Sequence, residues 1–507
     1  MKFRPYQKYR ILEMIPGTLA LSTLIVVLLL SFVKPLWMIY FVIIFDLYWL
    51  LRIIYFIIYL SLSWKRYQQL RGVRWMDKIQ KECADWEKIR HIIFLPTVDE
   101  DIEVLRHTFQ ALKASTYPKD KMIVVLAGEQ RRLDSFERVS QTIYKEFADC
   151  FFQLLITVHP DGVPGEVAAK GANLNYAGRE VKKYIDQHGW NYDDIIVSSF
   201  DIDTVADTEY FAYLTYTYLR HPNPTRSSYQ PLALYNNNVW ESFSFARIVA
   251  NSTTFWLMAE LARPKPLWTF SSHSMSFRAL ADVGFWQNDI VTEDSRIFLQ
   301  CFIYYDGDYE VTPLYISVSM DTAHAGTLKE TVKNLYKQIR RWAWGIEHFP
   351  FMIWHFWKAD LGPKKWHLVF NLAEGMYSWS TAPLLILILG YIPLWAVGDV
   401  EKTTVIAQNA PIVLEWLMRA AMVGIFASAI LNVYLLPSIV PGNRFLKFFI
   451  MIVQWILLPI TLIIFGSIPA IDAQTRLMTG KYLGFYTAKK FRKSKTSSIM
   501  PVSFKNE

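Results

Sequence analysis

Cysteine is nearly absent from this chain. Three residues in 507, Cys83, Cys150 and Cys301, lie too far apart for a disulfide framework or a paired-ligand zinc site, and they read as small buried hydrophobes. Charge is also scarce, at 19% of residues against about 25% in soluble domains, which sets the chain apart from an ordinary soluble enzyme. No internal repeat, low-complexity tract or heptad run occurs, which leaves one domain plus membrane helices. No small-residue cleavage site follows the first apolar stretch, so that stretch does not read as a removable signal peptide.

What the chain has in excess is apolar surface: 52% of residues are hydrophobic and 16% aromatic. They concentrate at residues 15–32 and 37–62, then at 382–397, 420–440 and 449–466. Most of these runs are long enough to cross a hydrocarbon core of roughly 30 Å as a helix. Residues 64–360 contain no such run. Lys2, Arg4, Lys8 and Arg10 precede the first pair and Lys65 and Arg66 follow it, so the positive-inside bias reads 1–63 as a hairpin with both ends in the cytoplasm. The expected organisation is that hairpin, a cytosolic domain over 64–360 ending in an interfacial helix, membrane helices over 361–472 and a basic tail over 473–507. The expected location is the plasma (inner) membrane. The net charge of +8, with Lys489, Lys490, Arg492, Lys493 and Lys495 in the tail, suits anionic lipid better than nucleic acid. Three spans after a cytosolic domain would put this tail outside, whereas its charge argues for inside. Either one segment is re-entrant or interfacial, as Pro459 and Pro469 suggest, or another crossing lies within 366–380.

Inside the middle region, apolar runs at 91–96, 121–127, 154–158 and 195–200 read as buried strands, alternating with helical patterns at 101–114 and 131–147. This order predicts an α/β domain with a parallel sheet, in which ligands bind at the carboxyl ends of the strands. The fourth run leads directly into Asp201-Ile202-Asp203, two carboxylates with the oxygen chemistry that Mg²⁺ or Mn²⁺ takes alongside a diphosphate. Alone, such a pair is more often a solvated turn. Thr292-Glu293-Asp294 opens an amphipathic stretch, where the acids read either as helix caps or as a general base. Gln338-Ile339-Arg340-Arg341-Trp342 offers guanidinium forks for phosphate and an indole face for a sugar, or else a basic aromatic interfacial helix.

In this order, D-x-D, T-E-D and Q-x-x-R-W resemble the signature of family 2 glycosyltransferases of the cellulose, chitin and hyaluronan synthase type, over about residues 91–350. The resemblance implies a GT-A nucleotide-diphospho-sugar transferase domain flanked by transmembrane helices. It also implies inverting transfer from a nucleotide sugar, a UDP-sugar in the first instance, to a growing polysaccharide, with room for accessory export subunits. Asp201 and Asp203 would hold the uridine diphosphate and its metal, and Asp294 would be the base, with Glu293 beside the acceptor. Gln338 and Trp342 would line the acceptor and Arg341 the diphosphate. Thr97 and Glu100 match the nucleoside loop, and Lys170 matches a lysine that reaches the diphosphate. Where the family commonly carries paired aspartates after the second strand, this chain has Glu129. His273 is a candidate sugar contact, or simply a histidine satisfied within a polar loop, and His324 a candidate near the metal or phosphate. Thr487 and Lys489 resemble part of a gating loop.

The runner-up within this class is a single addition to a lipid acceptor such as ceramide, diacylglycerol or polyprenyl phosphate. Two other classes stand further off. A transporter is disfavoured because charged and polar residues do not recur within the spans, and a degenerate partner subunit because the carboxylates are intact.

Overall fold

The computed structural model describes residues 5–357, 359–436 and 444–484. Thr487 and Lys489 lie outside the described residues. An eight-stranded mixed sheet forms the centre, in the order β3-β2-β1-β4-β7-β6-β8-β5. These strands are β1 (Arg90–Pro96), β2 (Met122–Glu129), β3 (Gln153–His159), β4 (Ile195–Ser199), β5 (Val205–Ala206), β6 (Ser227–Leu234), β7 (Ser274–Ser276) and β8 (Glu310–Ser319). β1 to β4 are mutually parallel, as the apolar runs predict. Ile92, Phe94, Ile123, Val125 and Val197 point into one core, and Ile93, Leu95, Val124, Leu126 and Ile196 into the other, which is why each strand reads as a continuous hydrophobic run. Burying each of these side chains stabilises the sheet by about 1.5–3 kcal/mol.

In the far half of the sheet, β6 and β7 are not legible from the sequence. β7 runs antiparallel to both β4 and β6, and β6 carries Pro231 at a break in its register with β8. Both strands are rich in serine, so they lack the apolar signature. A further helix, Ser244–Ala262, packs against the second long helix, Pro35–Leu70.

Among the described residues, four helices are long and apolar enough to cross a membrane, and a fifth span arises if the bent pair Lys364–Leu387 and Leu389–Ala396 counts as one. The apolar run at 382–397 and the suspected crossing at 366–380 are therefore parts of one broken helix, bent by 42°. The spans are less uniformly apolar than expected. Arg52 of the second helix pairs with Glu374 at 3.0 Å, and Asp46 is buried.

The last apolar segment, Phe445–Thr479, is broken by a 3-10 turn (Gln454–Leu457), a five-residue helix and a π turn (Ile463–Ser467) before the helix Ile468–Thr479. Pro459 and Pro469 sit at these breaks, where a missing N–H costs least. Contacts along the segment return repeatedly to the sheet domain. Lys447 lies over Trp240, Trp455 stacks on Phe255, Gln454 accepts from Arg247 at 2.8 Å, and Phe465 stacks on Phe245. Its final helix packs on the first helix, where Arg10 donates to the carbonyls of Leu477 and Met478 and so caps the helix end.

Candidate active site

The strand ends of β1, β2 and β4 and the starts of two helices converge on one edge of the sheet. Lys170 opens the helix Lys170–His188, and its Nζ lies 2.7 Å from Asp201 Oδ1 and 3.9 Å from Glu293 Oε1. Gly171 makes this approach feasible. A Cβ there would come within 2.5 Å of the Gln287 carbonyl and 3.0 Å of Glu293 Cβ, so only glycine lets the two helix starts meet.

Asp201 also accepts from the Ser271 hydroxyl. Asp203 is fully buried, with Oδ2 accepting from the Asp321 backbone N–H at 2.8 Å. His324, on the same stretch as Asp321, is 4% exposed and packs against Phe243.

Burial works against the Lys170 charge, but Asp201, then Glu293 and Asp294, outweigh it and hold the ammonium protonated. Burial, together with the Asp294 charge, pushes the Glu293 carboxyl up, against Lys170 and Arg341. Asp294 is likewise raised by burial and by Asp201, and pulled down by Lys170 and Arg341. A base with a raised pKa is better matched to neutral pH than an ordinary carboxylate. Capping accounts for only part of the T-E-D stretch: Asp294 Oδ1 accepts from the Ser295 backbone N–H at 2.9 Å in the first turn. Thr292 makes no side-chain cap bond and instead donates to Glu347, while Glu293 is 2% exposed and turned inward.

The Q-x-x-R-W stretch ends the helix Leu328–Ala343, and its two arginines do different work. Arg340 binds Asp472 of the last helix at 2.8 Å, alongside Tyr336. Arg341 acts electrostatically on Glu293 and Asp294. Gln338 is half-buried on the same helix face, one turn before Arg341 and Trp342. Trp342 packs against Tyr235, with ring centres 6.0 Å apart. Tyr235, just past the end of β6, is raised by burial and by Asp201, Asp203 and Asp294, so its ring belongs to the same cluster. Sequence reasoning missed Tyr235 because the strand that delivers it had no recognisable pattern.

His273 is buried, and its Nδ1–H donates to the Phe270 carbonyl at 2.8 Å. Burial first, then Lys170, lowers its pKa to about 4, so the ring is neutral and Nε2 is an acceptor. That Nε2 is buried without a hydrogen-bond partner.

Thr97 and Glu100 meet each other, the Thr97 hydroxyl donating to Glu100 at 2.7 Å, and the backbone N–H of Val98 also donates to that carboxylate. Glu129 is held apart from the carboxylate cluster. It pairs with Arg131 in the wall of a cavity of about 120 Å³ that also takes in His159, Glu166 and Ala169, next to Lys170.

Residues 196–468, more than half of the chain, match the model of glycosyl transferase family group 2. The chain belongs to this family. The match within this glycosyltransferase opens inside β4 just before Asp201 and runs beyond Trp342, whereas Thr97, Glu100, Glu129 and Lys170 precede it. Its α/β sheet with flanking apolar helices is a GT-A-type glycosyltransferase fold.

Among solved structures, the glycosyltransferase is similar to the mannosyltransferase PcManGT from Pyrobaculum calidifontis in complex with GDP-Man and Mn²⁺. The identity is 16% over 78% of this chain and 99% of that one, with a TM-score of 0.42. It is also similar to S. aureus TarS 1–349, at 12% identity over 68% of this chain and 91% of that one, with a TM-score of 0.35. No curated protein matches it.

Proposed function

We propose that this glycosyltransferase moves a sugar, with inversion, from a uridine diphosphate donor to a growing polysaccharide at the plasma membrane. The observation that carries this reading is the convergence of Lys170, Asp201, Glu293, Asp294 and Arg341 in one partly buried electrostatic cluster at the strand ends.

Asp201 and Asp203 fit a divalent cation that arrives with the diphosphate, because both offer hard oxygen ligands from one strand end. Among the described residues, no three His, Cys, Asp or Glu side chains already stand together as a metal site. Phosphate oxygens and water would complete the shell of Mg²⁺ or Mn²⁺. When bound, the ion would neutralise charge on the leaving diphosphate.

The chain's own groups supply the rest. Asp294 takes the proton of the acceptor hydroxyl as that oxygen attacks the anomeric carbon, and the nucleoside diphosphate leaves from the opposite face. Lys170 and Arg341 hold the diphosphate, and the vacant Nε2 of His273 accepts from a donor sugar hydroxyl. Trp342 and Tyr235, their rings tilted by 49° to each other, form an aromatic wall for the acceptor, with Gln338 and Glu293 beside it. Thr97, Glu100 and Glu129 line the nucleoside side, where the Glu129 cavity receives the base.

The contacts of the last apolar segment support an orientation. Leu436, at the end of the helix Val405–Leu435, and Met451 cluster with Val239 of the domain, and Thr479 ends beside Arg10. Residues 445–479 thus begin and end on the domain side. Four crossings remain, which is an even number, so the first residues, the catalytic domain and the basic tail share the cytosolic face, as the positive-inside bias asks.

The test is to incubate purified membranes with a panel of radiolabelled UDP-sugars and GDP-mannose and to size the product. A long polymer made from a UDP-sugar is expected. A single sugar in the organic phase would replace the polysaccharide reading with a lipid acceptor, and transfer from GDP-mannose alone would overturn the uridine donor.

A further inference from the structure

The base-bearing helix and the segment after Trp342 are joined by side chains of which only Thr292 belongs to a motif. Thr292 donates to Glu347, whose other oxygen accepts from Trp344 Nε1 at 2.9 Å. Three residues along, Ser295 Oγ lies 2.8 Å from His348 Nε2, and Arg296 Nε donates to His348 Nδ1 at 3.1 Å. Arg296 Nε can only donate, so Nδ1 is the acceptor, and the proton on Nε2 points to Ser295. Ser295 in turn donates to the Thr292 carbonyl at 3.3 Å, closing the relay on the first turn of the helix. Arg296 is fixed from two further directions, by Gln287 Oε1 at 3.0 Å and by the face of Phe351 at 3.8 Å.

The bonded residues 292, 295 and 296 bracket Asp294 on both sides. On the other side, Trp344, Glu347 and His348 continue from Arg341 and Trp342 without a loop, through a short 3-10 turn. The first turn of a helix lacks intrahelical acceptors for its N–H groups and is its softest part. A partner that fixes it from outside decides where its side chains aim.

We propose that Glu347 and His348 are positioning residues. They lock the first turn of the Glu293–Tyr304 helix in register with the Gln338–Trp342 stretch, so that Asp294 and Arg341 keep a fixed separation across the reacting groups. The inference rests on Asp294 being the base. The sequence shows no trace of it, since Glu-His after an aromatic run reads as an ordinary interfacial turn.

The experiment compares Thr292→Val, Glu347→Ala, Glu347→Gln, the double variant Thr292→Val/Glu347→Ala and Asp294→Asn in the full-length protein, measuring donor KM, kcat and binding of UDP. Glu347→Ala is expected to lower kcat about 10- to 100-fold, the scale of an ångström misplacement, with donor KM and UDP binding within about twofold of the native protein. Glu347→Gln, which keeps an acceptor for Thr292 and the side-chain volume, recovers most of that loss. The double variant is no slower than Glu347→Ala, because both changes break one link.

Native kcat in Glu347→Ala, or multiplying losses in the double variant, would overturn the positioning role while leaving the base in place. Full activity in Asp294→Asn would remove the base assignment and the lock with it. Retained UDP binding by Glu347→Gln separates any loss from misfolding.

Discussion

The Lys170 ammonium sits 2.7 Å from the Asp201 carboxylate, with both side chains held largely away from water. Because this pair joins the start of a helix to the end of β4, it fixes the floor of the site. Removing one partner strands the other charge. Lys170→Ala is expected to destabilise the protein by about 3 kcal/mol and to abolish transfer. Lys170→Arg should restore much of the melting temperature but little of the activity, because the planar fork replaces a compact ammonium. Thermal melts in detergent beside the transfer assay check both.

Arg340 and Arg341 are neighbours in sequence with separate tasks. Arg340→Leu breaks the link to Asp472 and is expected to cost about 1 kcal/mol of stability while sparing most activity. Arg341→Leu should do the reverse, lowering kcat at least about 100-fold with little change in melting temperature. Equal effects from the two would refute the division.

Stability should fall on acidification below about pH 6.5. Burial lowers His91 to about 3, His273 to about 4 and His348 well below its usual value. An unfolded imidazole titrates near 6.5, so below that pH the unfolded chain binds more protons than the folded one, and stability present above 6.5 is lost as pH falls. The loss is about 1 kcal/mol per histidine between pH 6.5 and 5.5. Melting curves at those two values measure it.

Catalysis should carry its own acid limb. Burial raises both Glu293 and Asp294, so the unprotonated base is lost at a higher pH than for an ordinary carboxylate near 4. The limb of kcat against pH is expected above that range, with an apparent value belonging to the pair. A limb at or below pH 4 would count against a buried base.

A reporter fused after Glu507 should be active only in the cytoplasm. Activity on the far side would mean that residues 445–479 cross the membrane and that the crossings are odd in number.

Much of this protein is determined by local sequence. The buried parallel strands are legible because a strand covered on both faces is apolar without interruption, and the three acidic and aromatic motifs are legible because each holds its chemistry within a few adjacent positions. The apolar runs likewise announce membrane helices, since length and hydropathy are properties of a single segment.

Tertiary structure alone decided what depends on distance between segments. β6 and β7 carry serine rather than valine because they are completed by pairing, so Tyr235 stayed hidden. Where 445–479 packs, on which the proposed even number of crossings rests, is likewise not encoded in hydropathy. The work of Arg340, Glu347 and His348 is set by partners between 53 and 132 positions away, since Asp472, Thr292 and Ser295 reach them only once the chain has folded.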